Sequence, residues 1–222
     1  MNFYNLKLSL FKILQKFLKK INIKIFYSRD KNLIKKINVD QVIDVGVAKG
    51  TRPLLDNFPK AEYFFIEANK DYYNYIENNL LKNYKSKLFK FAAGEKDETK
   101  KINISGPISS FYERENFNFE KNYEVKVKKL DDILENENIF RNTLLKIDCE
   151  GAELEILKGS TKTLKIVDYV IAEIRLQKIN TYNPSEIISY LYKNGFIWVD
   201  LLEIYYAKEG IDYIDILFKR LN

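Results

Sequence analysis

Three ionisable residues, Lys146, Asp148 and Glu150, alternate in the run Leu145-Lys146-Ile147-Asp148-Cys149-Glu150-Gly151. In a strand the side-chain period is two, so Lys146 and Asp148 share a face, and Glu150 falls where the chain turns into a following helix. Carboxylates at a strand end offer two routes to activating a substrate hydroxyl. One can take the proton as a general base. Alternatively, two or three can hold Mg²⁺ through oxygen, with the metal binding the alkoxide. Glu173 ends a later apolar run and is expected to join them on the acceptor side. Direct base catalysis by Asp148 or Glu150 is the preferred expectation, and the metal route stays open. A purely structural use competes: Lys146 would pair with one of these acids, and Glu150 with Glu153 would only start a helix whose dipole favours negative charge.

The chain of 222 residues contains no histidine, which excludes Ser-His-Asp and Cys-His nucleophile systems, histidine bases and imidazole metal sites. Its one cysteine, Cys149, allows no intrachain disulfide and no cysteine-rich zinc site, and it has no base in the sequence to make it a nucleophile. Proton chemistry therefore falls to carboxylates, Lys, Tyr, water or an oxygen-bound metal.

A second constellation lies upstream. Asp44-Val45-Gly46-Val47-Ala48-Lys49-Gly50-Thr51 follows an apolar run, and the next such run ends in Glu67. In open α/β sheets ligands bind beyond the carboxyl ends of the strands. Gly46 and Gly50 let backbone approach a ligand closely, while a carboxylate after the second strand can accept both hydroxyl protons of a ribose. An adenosine-containing ligand follows. Asp44 stands where the dinucleotide fingerprint has its first glycine and would repel a pyrophosphate, which disfavours a nicotinamide oxidoreductase. The cationic sulfonium and ammonium of S-adenosylmethionine suit it. Ala92 and Ala93, after the third strand, are placed beside adenine. Ser109 and Ser110, in a turn-rich stretch, are placed to reach over cofactor or acceptor.

The elements that must hold these residues alternate strand and helix, the pattern of an α/β fold with a mostly parallel sheet. Strands are expected at 41–45, 62–67, 87–92, 143–148 and 168–174, with helices at about 49–57, 69–82, 151–158 and 184–194. Asn183, Pro184, Glu186 and Gly195 punctuate the last helix. Runs 196–201 and 212–218 should close the sheet as an antiparallel edge pair. Residues 100–130 read as turns plus an exposed alternating strand.

Charge divides the chain. Residues 1–36 hold ten Lys/Arg and one acid, whereas the other 186 carry 27 bases against 30 acids. A nucleic-acid groove on the mildly acidic body is therefore disfavoured. The basic segment repeats Phe3, Leu6, Leu10, Ile13, Leu14, Phe17, Leu18 and Ile21 at helical spacing, an amphipathic helix. Two domains are thus expected, a basic helical segment at 1–36 and a catalytic domain at 37–222. Residues 1–26 could lie on the inner face of an anionic membrane, or pack on the domain or on a second subunit. A reducing cytosol is the simplest compartment.

Asp44-Val45-Gly46, Gly50-Thr51, Phe65-Ile66-Glu67, Ser109-Ser110-Phe111, Leu130-Asp131-Asp132-Ile133 and, above all, the run from Leu145 to Gly159 (LKIDCEGAELEILKG) resemble the FkbM family of methyltransferases, in order over residues 40–219. The resemblance implies the class I, Rossmann-like methyltransferase fold with a seven-stranded sheet, S-adenosylmethionine as donor, and O-methylation of a sugar, glycan precursor or related metabolite. Val47-Ala48 replaces the Ala-Asn that many members carry after the first glycine, so that asparagine's contact does not transfer. A non-catalytic protein that keeps the cofactor fold and is recruited by its basic helix is the alternative.

Overall fold

Apolar β-rich runs can bury both faces only if helices cover them, and the chain is organised that way. The computed structural model describes residues 33–106, 108–113, 118–176, 181–207 and 210–221. The chain separates into two units, Met1–Lys36 and Ile37–Asn222. In the first, the described part is one helical turn, α1 (Leu33–Lys36), so the amphipathic helix expected over 1–26 lies outside the described residues. Among the described residues no helix is long and apolar enough to cross a membrane.

In the second unit the strands are β1 (Gln41–Val45), β2 (Glu62–Ile66), β3 (Ser86–Phe89), β4 (Ala92–Gly94), β5 (Glu98–Ser105) and β6 (Ile108–Ser110). They continue as β7 (Lys121–Lys129), β8 (Thr143–Ile147), β9 (Tyr169–Arg175), β10 (Phe196–Ala207) and β11 (Gly210–Arg220). Seven of them form one sheet in the order β10-β11-β9-β8-β1-β2-β3. β1, β2, β3, β8 and β9 pair in parallel. β11 runs against β9 and β10, so β10 returns in the common direction.

Register sorts chemistry from core. Ile43, Val45, Leu145, Ile147, Ala172 and Ile174 share one face, packed with Ile156 and Leu157 of α5 (Glu153–Lys158) and Ile187 and Leu191 of α6 (Pro184–Lys193). Each such aliphatic side chain, fully buried, stabilises the fold by about 1.5–3 kcal/mol. The alternate positions carry the charges: Asp44 is opposite Lys146 and Asp215 is opposite Glu173, all on the other face. The N-terminus of α6 has a complete capping box between Asn183 and Glu186.

Several sequence expectations need correction. The run at 87–92 is not one strand: β3 ends at Phe89, and Ala92–Gly94 leaves for a second sheet, ordered β4-β7-β5-β6. β5, β6 and β7 accordingly belong to this second, covering sheet, with β7 paired to both β4 and β5. The second sheet meets the C-terminal end of α5 where Gly159 packs against Gly94, since a Cβ on Gly159 would lie 1.9 Å from the Gly94 carbonyl oxygen. The helix expected at 69–82 is broken into a 3₁₀ turn (Lys70–Tyr72), α3 (Tyr73–Tyr75, after α2 at Arg52–Asn57) and a π turn (Ile76–Leu80). Asn78 and Asn79 side chains donate to the carbonyls of Asn74 and Tyr75, competing with the regular ladder. Residues 49–51 and 151–152 stay outside α2 and α5, whose starts at Arg52 and Glu153 leave room for ligand-edge loops. The closing hairpin is longer than expected, twelve and eleven residues rather than seven at most.

Candidate active site

The chain leaves β1 through Gly46 (φ 85°), Ala48 (φ 47°) and Gly50 (φ 93°), three left-handed residues that turn it sharply into α2. A Cβ on Gly46 would sit 1.9 Å from the carbonyl oxygen of Asp148, so this turn and the loop after β8 touch backbone to backbone. Glu67 braces the turn from the end of β2. Its carboxylate accepts the N–H of Ala48 at 2.7 Å and that of Asn69 at 2.6 Å. Burial raises its pKa while these backbone donors and the Asp44 charge act in opposite senses, with burial prevailing. Asn69 in turn donates to Ser109 Oγ at 2.9 Å, tying the turn to β6.

Between these elements opens a cavity of about 740 Å³, its open mouth included. Gly46 and Glu67, Ala92, Ala93 and Ser109, and Asp148 with Glu150 all line it. These members of the sequence-derived set are therefore brought together. Asp44, Gly50, Thr51, Lys146, Ser110 and Glu173 do not line the cavity. Asp44 is only 1% exposed, its pKa raised by burial against the pull of Lys146 and the Thr51 hydroxyl. Ser110 donates to the Glu150 carbonyl at 2.9 Å and holds that loop.

The loop after β8 is shaped by Glu153. This buried carboxylate accepts the N–H groups of Cys149 and Gly151, each at 3.0 Å, and the Tyr182 hydroxyl at 2.8 Å. Glu150 (φ 54°) and Gly151 (φ 110°) are left-handed as a result of this fold-back. Burial, with Glu153 and Asp148 nearby, pushes the Cys149 thiol well up, so it is no thiolate nucleophile.

Side chains from β8, β9 and β11 converge around Asp148. Lys146 Nζ lies 3.0 Å from Asp148 and 3.6 Å from Asp44. Burial opposes its charge, but the two carboxylates outweigh burial and hold its pKa above the usual range. Carboxylate oxygens of Asp148, Glu150 and Glu173 lie within 4.8 Å of one another. Arg175, which the sequence reading passed over, stands among them: it pairs with Glu150, with Glu173 at 3.2 Å and with Asp212 at 3.3 Å. Glu173 is pushed up to about 10 by burial, then by Asp148, so it is a neutral acid at pH 7. Burial and Asp148 likewise raise Asp215 to about 6.

Three oxygens at this spacing are the right donor type for Mg²⁺. The arrangement nonetheless does not fit a divalent ion, because the Arg175 guanidinium already holds two of the three carboxylates and Lys146 holds the third. A dication would stand against fixed positive charge.

Besides Arg175, sequence reading missed the cavity lining that the covering sheet and its flanks supply: Phe91 just before β4, Ile102 of β5 and Phe111 just after β6. The only signal for it was the alternation in YEVKVKKL; nothing local marks which of its residues face the ligand.

Comparison with known proteins agrees with this architecture. The model of the FkbM methyltransferase domain matches residues 44–198, more than half of the chain. The hexuronic acid methyltransferase AglP of Haloferax volcanii is 40% identical over 50 residues, 22% of this chain and 21% of that protein. Among solved structures, fibrillarin from Aeropyrum pernix in complex with S-adenosyl-L-methionine aligns with TM-score 0.50 at 11% identity, over 85% of this chain and 70% of that one. The methyltransferase FkbM from Methylobacillus flagellatus aligns with TM-score 0.48 at 15% identity, over 81% of this chain and 43% of that one. The chain thus aligns with well under two thirds of the length of both AglP and that FkbM structure. The sheet order and the fibrillarin alignment give the class I, Rossmann-like methyltransferase fold.

Proposed function

The chain belongs to the FkbM methyltransferase family, and from that premise we propose that it transfers a methyl group from S-adenosylmethionine to a hydroxyl of a sugar or glycan precursor. The observation that carries this reading is a single cavity lined by the glycine turn and Glu67 together with Asp148 and Glu150. AglP, named for a hexuronic acid substrate, supports a sugar acceptor.

Bound there, S-adenosylmethionine would supply an electrophilic methyl group on a cationic sulfur. Gly46, lacking a side chain, leaves room for close approach. Glu67 uses one lone pair on each oxygen for Ala48 and Asn69 and keeps others for ribose hydroxyls. The Ala92 and Ala93 surfaces form an apolar wall for adenine. Asp148, held in place by Lys146, takes the acceptor proton as the hydroxyl oxygen bonds to the methyl carbon and the carbon–sulfur bond breaks. Glu150 is fixed by Arg175 and orients the acceptor.

The test is calorimetry with S-adenosylhomocysteine followed by methyl transfer from labelled donor into a glycan extract. Micromolar binding that Glu67→Ala weakens at least tenfold, with transfer lost in Asp148→Asn, is expected. Absence of binding rejects the reading. Binding with transfer undiminished in Asp148→Asn rejects the assigned base.

A further inference from the structure

The hairpin of β10 and β11 extends past its neighbour at the edge where the carboxylate cluster lies. β9 stops at Arg175, opposite Tyr213, yet β10 and β11 stay paired to Ala207 and Gly210. On this extension Tyr205 and Tyr213 stack with ring centres 4.9 Å apart and planes at 6°. Tyr213 lies 5.3 Å from the guanidinium carbon of Arg175, so the stack continues directly from the Arg175–Glu150–Glu173 group. Tyr205 is nevertheless half exposed, at 50%, and its neighbour Tyr206 more so. An aromatic pair that abuts a reactive centre and keeps half its outer surface in water is a platform suited to a ring with one apolar face.

The charges around it are one-sided. Lys146 and Arg175 face Asp148, Glu150 and Asp212, with buried Asp44 beside Lys146 and protonated Glu173 beside Arg175, and Glu203 is paired with Asp215 across the hairpin. Both cations are already shared among these acids. Among the described residues an incoming carboxylate would meet like charge and cations already engaged, whereas hydroxyl or ammonium donors find acceptors.

We propose that the acceptor is a non-anionic oligosaccharide, of uncharged or amine-bearing sugars, whose ring beyond the methylated one stacks on Tyr205, and that uronic acids are rejected. This rests on the reading of the cavity as a sugar methyltransferase site and separates the chain from the hexuronic acid preference in AglP's name.

The test uses the full chain saturated with S-adenosylhomocysteine and three probes, the trisaccharides of glucosamine, glucose (β-1,4-linked) and galacturonic acid, with affinities read by saturation-transfer NMR. Glucosamine and glucose trimers bind, and the galacturonic acid trimer binds at least tenfold more weakly. Tyr205→Ala weakens the first two at least fivefold while leaving the S-adenosylhomocysteine affinity and the melting temperature unchanged. Equal or tighter binding of the galacturonic acid trimer, an unchanged affinity in Tyr205→Ala, or no binding of any trimer overturns the proposal. A failure to bind S-adenosylhomocysteine instead overturns the methyltransferase reading on which it stands.

Discussion

The glycine turn and the carboxylate cluster are built by different means. The turn is a backbone device: left-handed residues at Gly46, Ala48 and Gly50, seated against the Asp148 carbonyl, with two backbone N–H groups bonded to Glu67. The cluster is a side-chain device, in which Asp148, Glu150 and Glu173 crowd within 4.8 Å and are tolerated because Lys146 and Arg175 pair with them. A backbone device fails when space is removed. A charge cluster fails when compensation is removed, and can tolerate loss of an acid that is already neutral.

That contrast ranks the expected effects. Gly46→Ala should do the most damage, because both the positive φ and the 1.9 Å approach must be relieved. A loss of about 3 kcal/mol or more, with donor binding abolished, is expected from such overpacking combined with strain, measured by denaturant unfolding and calorimetry. Next, Arg175→Met removes the cation shared by Glu150, Glu173 and Asp212; breaking a buried pair from one side costs about 3–5 kcal/mol, and the melting temperature should fall accordingly. Asp148→Asn should cut the methyl-transfer rate by about 10²–10⁴, the usual span for removing a general base, while donor affinity changes less than threefold.

Glu173→Gln is the milder probe. Its acid has a pKa of 4.5 when unperturbed and about 10 in the fold, so the folded chain binds one extra proton between those values. A raised pKa means stability is greatest below pH 4.5 and declines as pH rises towards 10. Glutamine has no such slope, so the melting temperature of Glu173→Gln relative to the parent should climb with pH across that window; a constant difference would show that Glu173 is charged. Smallest of all, EDTA should leave methyl transfer unchanged, since the acid triad is compensated by Arg175 and Lys146.

The glycine turn was legible because glycines and a strand-end acid are local signals, and the apolar runs at 41–45, 62–67 and 143–148 mark β1, β2 and β8 to within one residue. The Lys146–Asp148 pair also follows from a period of two. Arg175 was not legible. It ends an apolar run like any solubilising charge, and its partners Glu150 and Asp212 lie 25 and 37 residues away, brought to it by the pairing of β9 with β8 on one side and with β11 on the other. The covering sheet was hidden for a related reason: β4 has three residues, and its only strand partner is β7. The Leu130-Asp131-Asp132 and Glu153 parts of the distinctive motif turn out to be scaffolding, Asp131 binding the backbone and hydroxyl of Thr163 and Glu153 shaping the loop before α5.

A crystal structure grown with S-adenosylhomocysteine tests the central claim most directly. The account predicts the ribose hydroxyls on the Glu67 carboxylate, adenine against Ala92 and Ala93, and the sulfur turned towards Asp148. Ligand density elsewhere, with Gly46 and Glu67 uncontacted, would contradict it.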